Sequence, residues 1–262
     1  MLRLIIVAFS FFSMVAQAEL LARWDFDDTA GGTFTDRSGT YAGVTGGATS
    51  VDGILGSALY FDGTQRADIE FDAFPVGDFT ISFWAKVDPT LDQGFVSHEE
   101  ETGYNFDHQI GIIDGEGYAR IWNRDSIEAK FKPDYDGDLP HQETYFTLPS
   151  LSADTWHHWT MSVELGVGTS IYIDGNLVSQ RSDIDHSDFD WGTRLFVGYN
   201  RDIGRLNGDA DIEGFTIGAI DELAIYDNAM DEFEVRAIND VPVPTFGVVI
   251  GLLAFSLRRT KQ

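Results

Sequence analysis

Two adjacent histidines, His157 and His158, are the residues whose type best suits acid–base or metal chemistry. They precede a stretch in which Trp159, Met161 and Val163 alternate with polar residues, which is typical of a β-strand with one buried face. Neighbouring residues of a strand point to opposite faces, so these two imidazoles cannot bind one ion together. The sequence also has no HExxH, GxSxG or P-loop motif, so nothing in it indicates zinc, serine-nucleophile or phosphate chemistry.

The histidine pair lies in a predicted hairpin, residues 154–178. A Gly-rich turn around Gly166 joins the first strand to a second strand, in which Ile171 and Ile173 share one face. Asp174 and Gly175 follow, and this pair suits a tight turn with positive φ angles. The pattern therefore predicts two antiparallel strands that lead into a third.

The composition excludes several classes of function. The chain has 43 acidic and 17 basic residues, for a net charge of −26, so it repels nucleic acid and anionic membrane surfaces and attracts divalent cations. The alternative interpretation of this charge is solubility alone. There is no cysteine, which excludes disulfides, thiolate metal sites and a thiol nucleophile. At 43% apolar residues the chain can bury a core.

The N-terminus has the pattern of a secretory signal peptide over residues 1–18. Arg3 supplies the positive start, an apolar run follows, and Ala16-Gln17-Ala18 fits a small-x-small cleavage site. The sequence therefore predicts export to the cell surface or the extracellular space, with a mature chain that starts near Glu19. A single domain is expected over residues 19–240.

The C-terminal residues 241–262 form three parts: Val241-Pro242-Val243-Pro244, an uncharged apolar stretch over residues 245–257, and a basic end. This plan resembles the bacterial PEP-CTERM-type sorting tails, with VPVP where that family has VPEP. A helix of the apolar stretch spans about 20 Å, against a hydrocarbon core of about 30 Å. The tail predicts a membrane contact, at least transient, as a transmembrane or anchor helix, and a sorting protease as a partner; a plain C-terminal anchor is the alternative.

Between these ends, many short strands are separated by turn signals, and one helix is expected over residues 230–238. The strongest strand signal covers residues 79–87, whereas residues 124–150 are polar and proline-rich and predict a long loop. We therefore predict an all-β fold, an antiparallel β-sandwich of the jelly-roll kind with one short C-terminal helix.

Six sequence motifs in order resemble the laminin-G-like, concanavalin A-like lectin/glucanase jelly roll (LamG-like) over about residues 20–240. They are Ala22-Arg23-Trp24-Asp25-Phe26, Asp36-Arg37-Ser38-Gly39, Gly56-Ser57-Ala58-Leu59-Tyr60-Phe61-Asp62-Gly63, Phe79-Thr80-Ile81-Ser82-Phe83-Trp84, Trp156-His157-His158 with Ile171-Tyr172-Ile173-Asp174-Gly175, and Gly218-Ala219-Ile220-Asp221-Glu222-Leu223-Ala224-Ile225-Tyr226. Most of these residues are expected to be scaffold. A function taken from them alone is fold analogy.

The resemblance implies two kinds of site. Related glucanases carry carboxylates at alternate positions of one strand, in the form Glu-x-Asp-x-Glu; the nearest match is Asp209-Ala210-Asp211-Ile212-Glu213, which starts with Asp and precedes the last strand. We expect no catalytic residue there. Proteins of this fold also often hold a structural Ca²⁺, which takes six to eight oxygen ligands. The matching candidates are Asp25 or Asp27 with Asp221, and Asp62 at the end of a neighbouring strand; turn hydrogen bonding by Asp221 is the alternative.

Aromatic residues can bind sugars by stacking. Trp24, Trp84 and Trp156 fall in the motifs and are expected in the core. Four others lie outside the motifs and form the candidate ligand-binding platform, with buried packing as the alternative: Tyr104, Trp122, Trp191 and Tyr199. A localised function is expected in residues 99–108, 124–150 and 183–192.

These observations predict an exported, non-catalytic module that binds a glycan or a cell-surface or matrix protein, with calcium as a structural cofactor. The first alternative is a glycoside hydrolase or polysaccharide lyase, which only the resemblance in fold supports. The second is a structural component of an extracellular matrix. No nucleic-acid partner is expected.

Overall fold

A computed structural model describes residues 19–75, 77–99, 106–121, 143–182, 193–200 and 214–240. In chain order the strands are β1 Leu20–Trp24, β2 Thr33–Thr35, β3 Ala42–Val44, β4 Thr49–Asp52, β5 Ser57–Asp62, β6 Ala67–Glu70, β7 Phe79–Val87, β8 Gln93–Glu99, β9 Phe106–Ile113, β10 Glu116–Ile121, β11 Glu143–Thr147, β12 His157–Glu164, β13 Gly168–Ile173, β14 Asn176–Arg181, β15 Arg194–Val197, β16 Tyr199–Asn200, β17 Gly214–Phe215 and β18 Ile217–Tyr226. A 3₁₀ turn covers Ala30–Gly32, and helix α1 is Glu232–Asp240.

Two antiparallel eight-stranded sheets form a sandwich. Sheet A has the order β14-β13-β12-β7-β18-β5-β4, with β1 paired to β18, and sheet B has the order β11-β10-β9-β8-β15-β6-β3-β2. The short strands β16 and β17 pair with each other. The predicted all-β jelly-roll architecture with one short C-terminal helix is confirmed.

The core lies between the two sheets and uses every second residue of the long strands. Phe83, on β7, packs against Phe95 of β8 with ring centroids 5.9 Å apart, and Phe95 packs against Trp159 of β12 at 5.0 Å. Trp24 is also fully buried, as expected from its motif, whereas Trp84 and Trp156 are half-buried. The prediction of core positions is wrong for these two: Trp84 shares the outward-facing side of β7 with Ser82, and Trp156 comes just before β12.

The predicted hairpin is confirmed. Strands β12 and β13 pair in register from Trp159 opposite Ile173 to Glu164 opposite Gly168, and β13 continues into β14. Asp174 has a φ of 51° and Gly175 a φ of 71°, so both occupy the left-handed region that this tight turn requires. The hairpin positions sheet A, and β12 lies directly beside the long strand β7.

The outer face of sheet A is covered by the segment that follows β18. Met230 and Val235 are buried there in a cluster with Tyr172, Ala224 and Tyr226. Hydroxyl groups of the sheet bond the backbone of that segment: Thr80 Oγ1 donates to the Asn228 carbonyl at 2.7 Å, and Ser162 Oγ donates to the Met230 carbonyl at 2.8 Å. This face is therefore closed by both apolar contact and polar contact.

Two expected element bounds differ from the structure. Helix α1 begins at Glu232, two residues after the predicted start, because the Asp231 side chain caps it by accepting from the Glu234 N–H at 2.9 Å. The predicted loop 124–150 contains strand β11, which was missed because its alternation of polar and apolar residues covers only five residues.

None of the helices in the described residues is long or apolar enough to span a membrane. The predicted signal peptide and C-terminal tail lie outside the described residues.

Candidate functional site

Strand register aligns one residue from each strand of sheet B in a single row, called here the cross-strand row. From one edge of the sheet to the other, the row consists of Thr33, Val44, Asp68, Phe196, Ser97, Gln109, Arg120 and Glu143. Core residues flank most of these positions along each strand, so the row from Thr33 to Arg120 lies on the outer face. At about 4.8 Å per strand, it extends for about 34 Å.

The two halves of the cross-strand row differ in exposure. Thr33 and Val44 are exposed and Asp68 is half-buried, whereas Ser97, Gln109 and Arg120 are buried. Strand β16 contributes to this burial, because Ser97 Oγ donates to the Tyr199 carbonyl at 3.0 Å. Within the described residues, the half formed by β2, β3 and β6 is therefore the part of the row that a ligand can reach.

A cavity of about 860 Å³ opens at this accessible half, and we call it the edge pocket. Its lining consists of Asp25, Phe26, Asp27, Asp28, Ala30, Thr33, Phe34, Thr35, Asp36, Arg37, Ala42, Gly43, Val44, Asp68, Ile69, Glu70 and Arg194. Its volume falls within the range of about 300–1,000 Å³ that is usual for small-molecule sites. Six carboxylates and two guanidinium groups give it both acceptors and donors for hydroxyl-rich ligands.

Two acidic residues of the pocket share one face of β6. Asp68 and Glu70 alternate with the core residues Ala67 and Ile69, and their Cα atoms are about 6.7 Å apart by strand geometry. Arg66 Nε lies 3.1 Å from Asp68 Oδ1. Sequence reasoning singled out Asp209–Glu213 and missed this pair, although the alternation of acids over residues 68–72 is the same signal. The stretch 209–213 lies outside the described residues.

The rim of the edge pocket is held by a rigid turn. Asp36 accepts hydrogen bonds from the backbone N–H groups of Ser38, Thr40 and Tyr41, at 2.7 to 2.8 Å. Burial acts to raise the pKa of Asp36, but these hydrogen bonds outweigh it and lower the pKa. The next residue, Arg37, forms an ion pair with Asp25, so Asp25 is directed toward this rim. The turn therefore favours the ionised form of Asp36.

Of the four metal-ligand candidates, the structure brings Asp27 and Asp221 to the same turn, residues 53–57. Asp221 Oδ2 accepts from the Ile54 N–H at 2.9 Å, and Asp27 Oδ1 accepts from the Ser57 N–H at 2.8 Å. A Cβ at Gly53 or Gly56 would collide with these carboxylates, so the glycines permit the close approach. The turn bonding that was the alternative for Asp221 is thus observed.

Asp62 lies apart from this turn. It is paired with Ile217, four residues before Asp221 on β18, which corresponds to about 13 Å along the strand. Its Oδ1 instead accepts from the N–H and the hydroxyl of Thr64, at 3.0 and 2.7 Å. Among the residues that the structure describes, no group of three or more His, Asp or Glu side chains is arranged to hold a metal ion.

The carboxyl group of Asp221 is completely buried. Burial, with the neighbouring Glu222 charge, raises its pKa to about 8, against the lowering effect of the backbone N–H groups. Burial also raises the pKa of Glu222, while Arg23 opposes this through an ion pair with Nη2 to Oε2 at 2.5 Å. The donor set at Asp27 and Asp221 is oxygen-only, which suits calcium, but it supplies two of the carboxylates that such a site needs.

Of the predicted aromatic platform, Tyr199 is the one member that lies in the described residues. Tyr199 is buried, with the Arg66 guanidinium carbon 4.8 Å from its ring centroid and Phe215 at 4.9 Å. Packing, the alternative interpretation, is therefore what the structure shows for Tyr199. Tyr104, Trp122 and Trp191 lie outside the described residues, as do most of the predicted functional stretches 99–108, 124–150 and 183–192.

The two histidines occupy different environments, as the strand alternation predicts. His157 Nδ1 is 2.8 Å from Asp174 Oδ2, at the rim of the hairpin turn. His158 is buried on the outer face of sheet A with Nε2 2.7 Å from Ser82 Oγ, and burial lowers its pKa to about 4, against the Asp174 charge. A neutral buried imidazole of this kind is a structural residue of the closed face.

Solved structures similar to this chain share its fold. Domain 4 of AbnA, a GH43 extracellular arabinanase from Geobacillus stearothermophilus, in complex with arabinotriose, matches with a TM-score of 0.59 and 18% identity, over 84% of this chain and 98% of that chain. The botulinum neurotoxin type G receptor binding domain matches with a TM-score of 0.58 and 13% identity, over 84% of this chain and 51% of that chain. The botulinum neurotoxin serotype D ligand binding domain in complex with N-acetylneuraminic acid matches with a TM-score of 0.56 and 13% identity, over 78% of this chain and 47% of that chain.

This chain thus spans about half the length of the toxin domains and nearly all of the arabinanase domain. Identities below 20% show a shared fold and nothing finer. None of the curated proteins matches the sequence. The family model Laminin_G_3, described as the concanavalin A-like lectin/glucanases superfamily, matches residues 61–236, which is more than half of the chain. The two sheets, the hairpin and the Asp221 strand all lie within or beside this match, and the chain belongs to the concanavalin A-like lectin/glucanases superfamily.

Proposed function

We propose that this protein is a non-catalytic glycan-binding module whose ligand occupies the edge pocket on the outer face of sheet B. The observation that carries the proposal is the pocket itself, which is large enough for a small sugar and lined by carboxylates and arginines. Such groups bond hydroxyls from both sides of a ring. The arabinotriose and N-acetylneuraminic acid complexes of the similar structures are consistent with a sugar ligand on this fold.

The charge of the pocket favours a neutral glycan. Arg37 is already paired with Asp25, and Arg66 is paired with Asp68, so the carboxylates near the opening outnumber the available cationic groups. The whole chain carries a net charge of −26. An anionic sugar would have to overcome this repulsion, whereas a neutral hydroxyl-rich ligand meets only hydrogen-bond acceptors and donors.

Glycoside hydrolysis is the second candidate, and the Asp68–Glu70 pair is what favours it. Glycosidases use two carboxyl groups that face one bond, and these two residues share one face of β6 with Cα atoms about 6.7 Å apart. Binding without turnover is preferred because Arg66 is paired with Asp68 and Arg194 is opposite Glu70, in the register of β15 and β6. Asp68 is thus held in an ion pair on the sheet, which favours a role in binding or packing over a role in catalysis.

We further propose that calcium, where present, binds at Asp27 and Asp221 and stabilises the turn at residues 53–57. A cation there would favour the ionised form of Asp221, against the burial that raises the pKa of this carboxyl group. Calorimetric melting of calcium-loaded protein before and after EDTA tests this. A lower melting temperature after EDTA, lost in Asp27→Asn, supports the site; an unchanged midpoint in protein that had been shown to contain calcium contradicts it.

Export, cell-surface location and a sorting or anchor tail at residues 241–262 remain proposals that rest on the sequence. The signal-peptide pattern and the VPVP-apolar-basic plan support them. Fractionation of the producing cell, with N- and C-terminal sequencing of the mature protein, tests both. A mature chain that retains Met1, recovered only from the cytoplasm, would contradict export.

A glycan array, with reducing-end analysis of any ligand found, tests the main proposal. Binding of neutral glycans without cleavage supports a binding module. Cleavage that is lost in both Asp68→Asn and Glu70→Gln would replace it with the hydrolase. Binding to no glycan at all, with retention by extracellular matrix or surface protein, would favour the structural or protein-binding alternatives.

A further inference from the structure

An aromatic ring lies on the cross-strand row immediately beside the edge pocket. Phe196 is the residue next to Asp68 in the row, on the neighbouring strand β15. Its neighbours Leu195 and Val197 belong to the core between the sheets, so Phe196 lies on the outer face. The backbone of Phe196 is therefore one strand spacing, about 4.8 Å, from that of Asp68, a residue that lines the pocket.

The side chain of Arg66 covers this ring. Its guanidinium carbon is 4.3 Å from the Phe196 centroid and 4.8 Å from the Tyr199 centroid. Its Nε is also 3.1 Å from Asp68 Oδ1, so the side chain that lies over the two rings forms an ion pair with a carboxylate of the pocket. The Arg66 side chain is 37% exposed, whereas Phe196 is only 5% exposed. Arg66 thus forms the solvent-facing cover of these two rings.

We infer that Phe196 is a second sugar subsite and that Arg66 is its displaceable cover, so that only a glycan longer than the edge pocket engages it. This inference rests on the proposed function. A pyranose or furanose ring stacks on an aromatic face through its C–H groups, in the place that the guanidinium now takes. The interactions that hold Arg66, two cation–π contacts and one partly exposed ion pair, are of the weak kind that a ligand can replace.

The geometry makes the effect depend on chain length. A disaccharide fits within the edge pocket and leaves Arg66 in place. A longer chain that follows the row from Val44 past Asp68 reaches Phe196, and it must move the guanidinium away. Removing the cover should therefore strengthen the binding of long ligands and leave that of short ligands unchanged.

The experiment is calorimetric titration with neutral oligosaccharide ladders, from disaccharide to hexasaccharide, prepared from arabinan, β-glucan and mannan. Arg66→Ala should bind the hexasaccharide of the recognised ladder about three- to tenfold more tightly than the wild type, with no change for the disaccharide. In Phe196→Leu, the affinity should no longer increase from the disaccharide to the hexasaccharide. Arg66→Lys keeps the charge but not the planar stacking group, so it should behave like Arg66→Ala. Arg236→Ala, an exposed arginine paired with Glu232 on α1, is the control and should bind as the wild type does.

The Arg66 side chain also provides a direct signal. In NMR spectra of the free protein, the Nε–H resonance should be shifted upfield by the ring current of Phe196, and it should move downfield on adding hexasaccharide but not disaccharide. Equal affinities of Arg66→Ala and wild type for every length, or weaker hexasaccharide binding by Arg66→Ala, would overturn the inference while leaving glycan binding intact. If no ladder binds the wild type or Arg66→Ala, the proposed function fails, and this inference fails with it.

Discussion

The outer faces of the two sheets carry similar alternating polar residues but differ in what lies over them. On sheet A, the hydroxyls of Thr80 and Ser162 bond the backbone of the segment that follows β18, and Val235 of helix α1 is fully buried against that face. On sheet B, the half that contains Thr33 and Val44 is exposed and carries the edge pocket. Polar residues on a strand are thus scaffold where another segment satisfies them, and among the described residues they stay accessible on the open half of sheet B.

The largest difference in stability is expected when aspartate is introduced on the buried side or on the exposed side of helix α1. Val235→Asp puts a charge into the closed face of sheet A, which should lower the free energy of unfolding by about 3 kcal/mol or more. Phe233→Asp introduces the same residue at a position that is 80% exposed, and the expected change is below about 0.5 kcal/mol. Urea denaturation of both variants measures this contrast, and equal effects would contradict the assignment of the buried side.

A second pair of substitutions compares the removal of a buried ion pair with the removal of an exposed one. Arg23→Met leaves Glu222 charged and buried without the 2.5 Å contact, so we expect a loss of about 3 kcal/mol. Arg236→Met breaks the exposed pair with Glu232 and should cost about 0.5 kcal/mol. Thermal unfolding of the two variants tests the ranking. A reversed order would mean that the Arg23–Glu222 pair does not support the β1–β18 contact.

Acidification should weaken the closed face through His158. Its pKa is about 4 in the folded protein and near 6.5 when unfolded, so the unfolded state binds more protons between these values. Stability contributed by the neutral imidazole is therefore present above pH 6.5 and is lost as the pH falls toward 4, by up to about 1.4 kcal/mol per pH unit. The measurement is the stability difference between wild type and His158→Gln across that range; a difference independent of pH contradicts a neutral buried imidazole.

The smallest stability effects are expected on the open half of sheet B. Glu70→Gln keeps the shape of an exposed side chain and should change the free energy of unfolding by less than about 0.5 kcal/mol. Glycan affinity should nevertheless fall about tenfold, because a charged acceptor of the pocket is lost. Titration and urea denaturation on the same samples separate the two effects. A variant that loses stability and affinity together would instead assign Glu70 to the scaffold.

Local patterns in the sequence were sufficient for the sandwich and its hairpin. The alternation around Trp159 and the Asp174-Gly175 turn depend on neighbours in the chain, and both are confirmed. The cross-strand row could not be predicted in this way, because Val44, Asp68 and Phe196 are brought together by the pairing of strands distant in sequence. Closure of the outer face of sheet A likewise depends on long-range contacts, such as that between Thr80 and Asn228.

The candidate site was harder to predict than the fold, for a physical reason. In a chain with 43 acidic residues, alternating carboxylates arise often, and only the fold shows which pair faces a cavity. Asp68 and Glu70 line the edge pocket, whereas Asp62 bonds its own turn. Tyr199 illustrates the same limit for aromatic residues: its type suits a sugar platform, but the packing of Arg66 and Phe215 decides its exposure.

Chemical-shift mapping of the backbone amides, with a neutral oligosaccharide selected by the array, tests the central claim most directly. We predict that the perturbed amides cluster in residues 25–44, in β6 and at Arg194, and that the residues of β12 and helix α1 do not respond. Perturbations confined to the outer face of sheet A, or spread evenly over both sheets, would contradict the claim that the open half of sheet B binds the ligand.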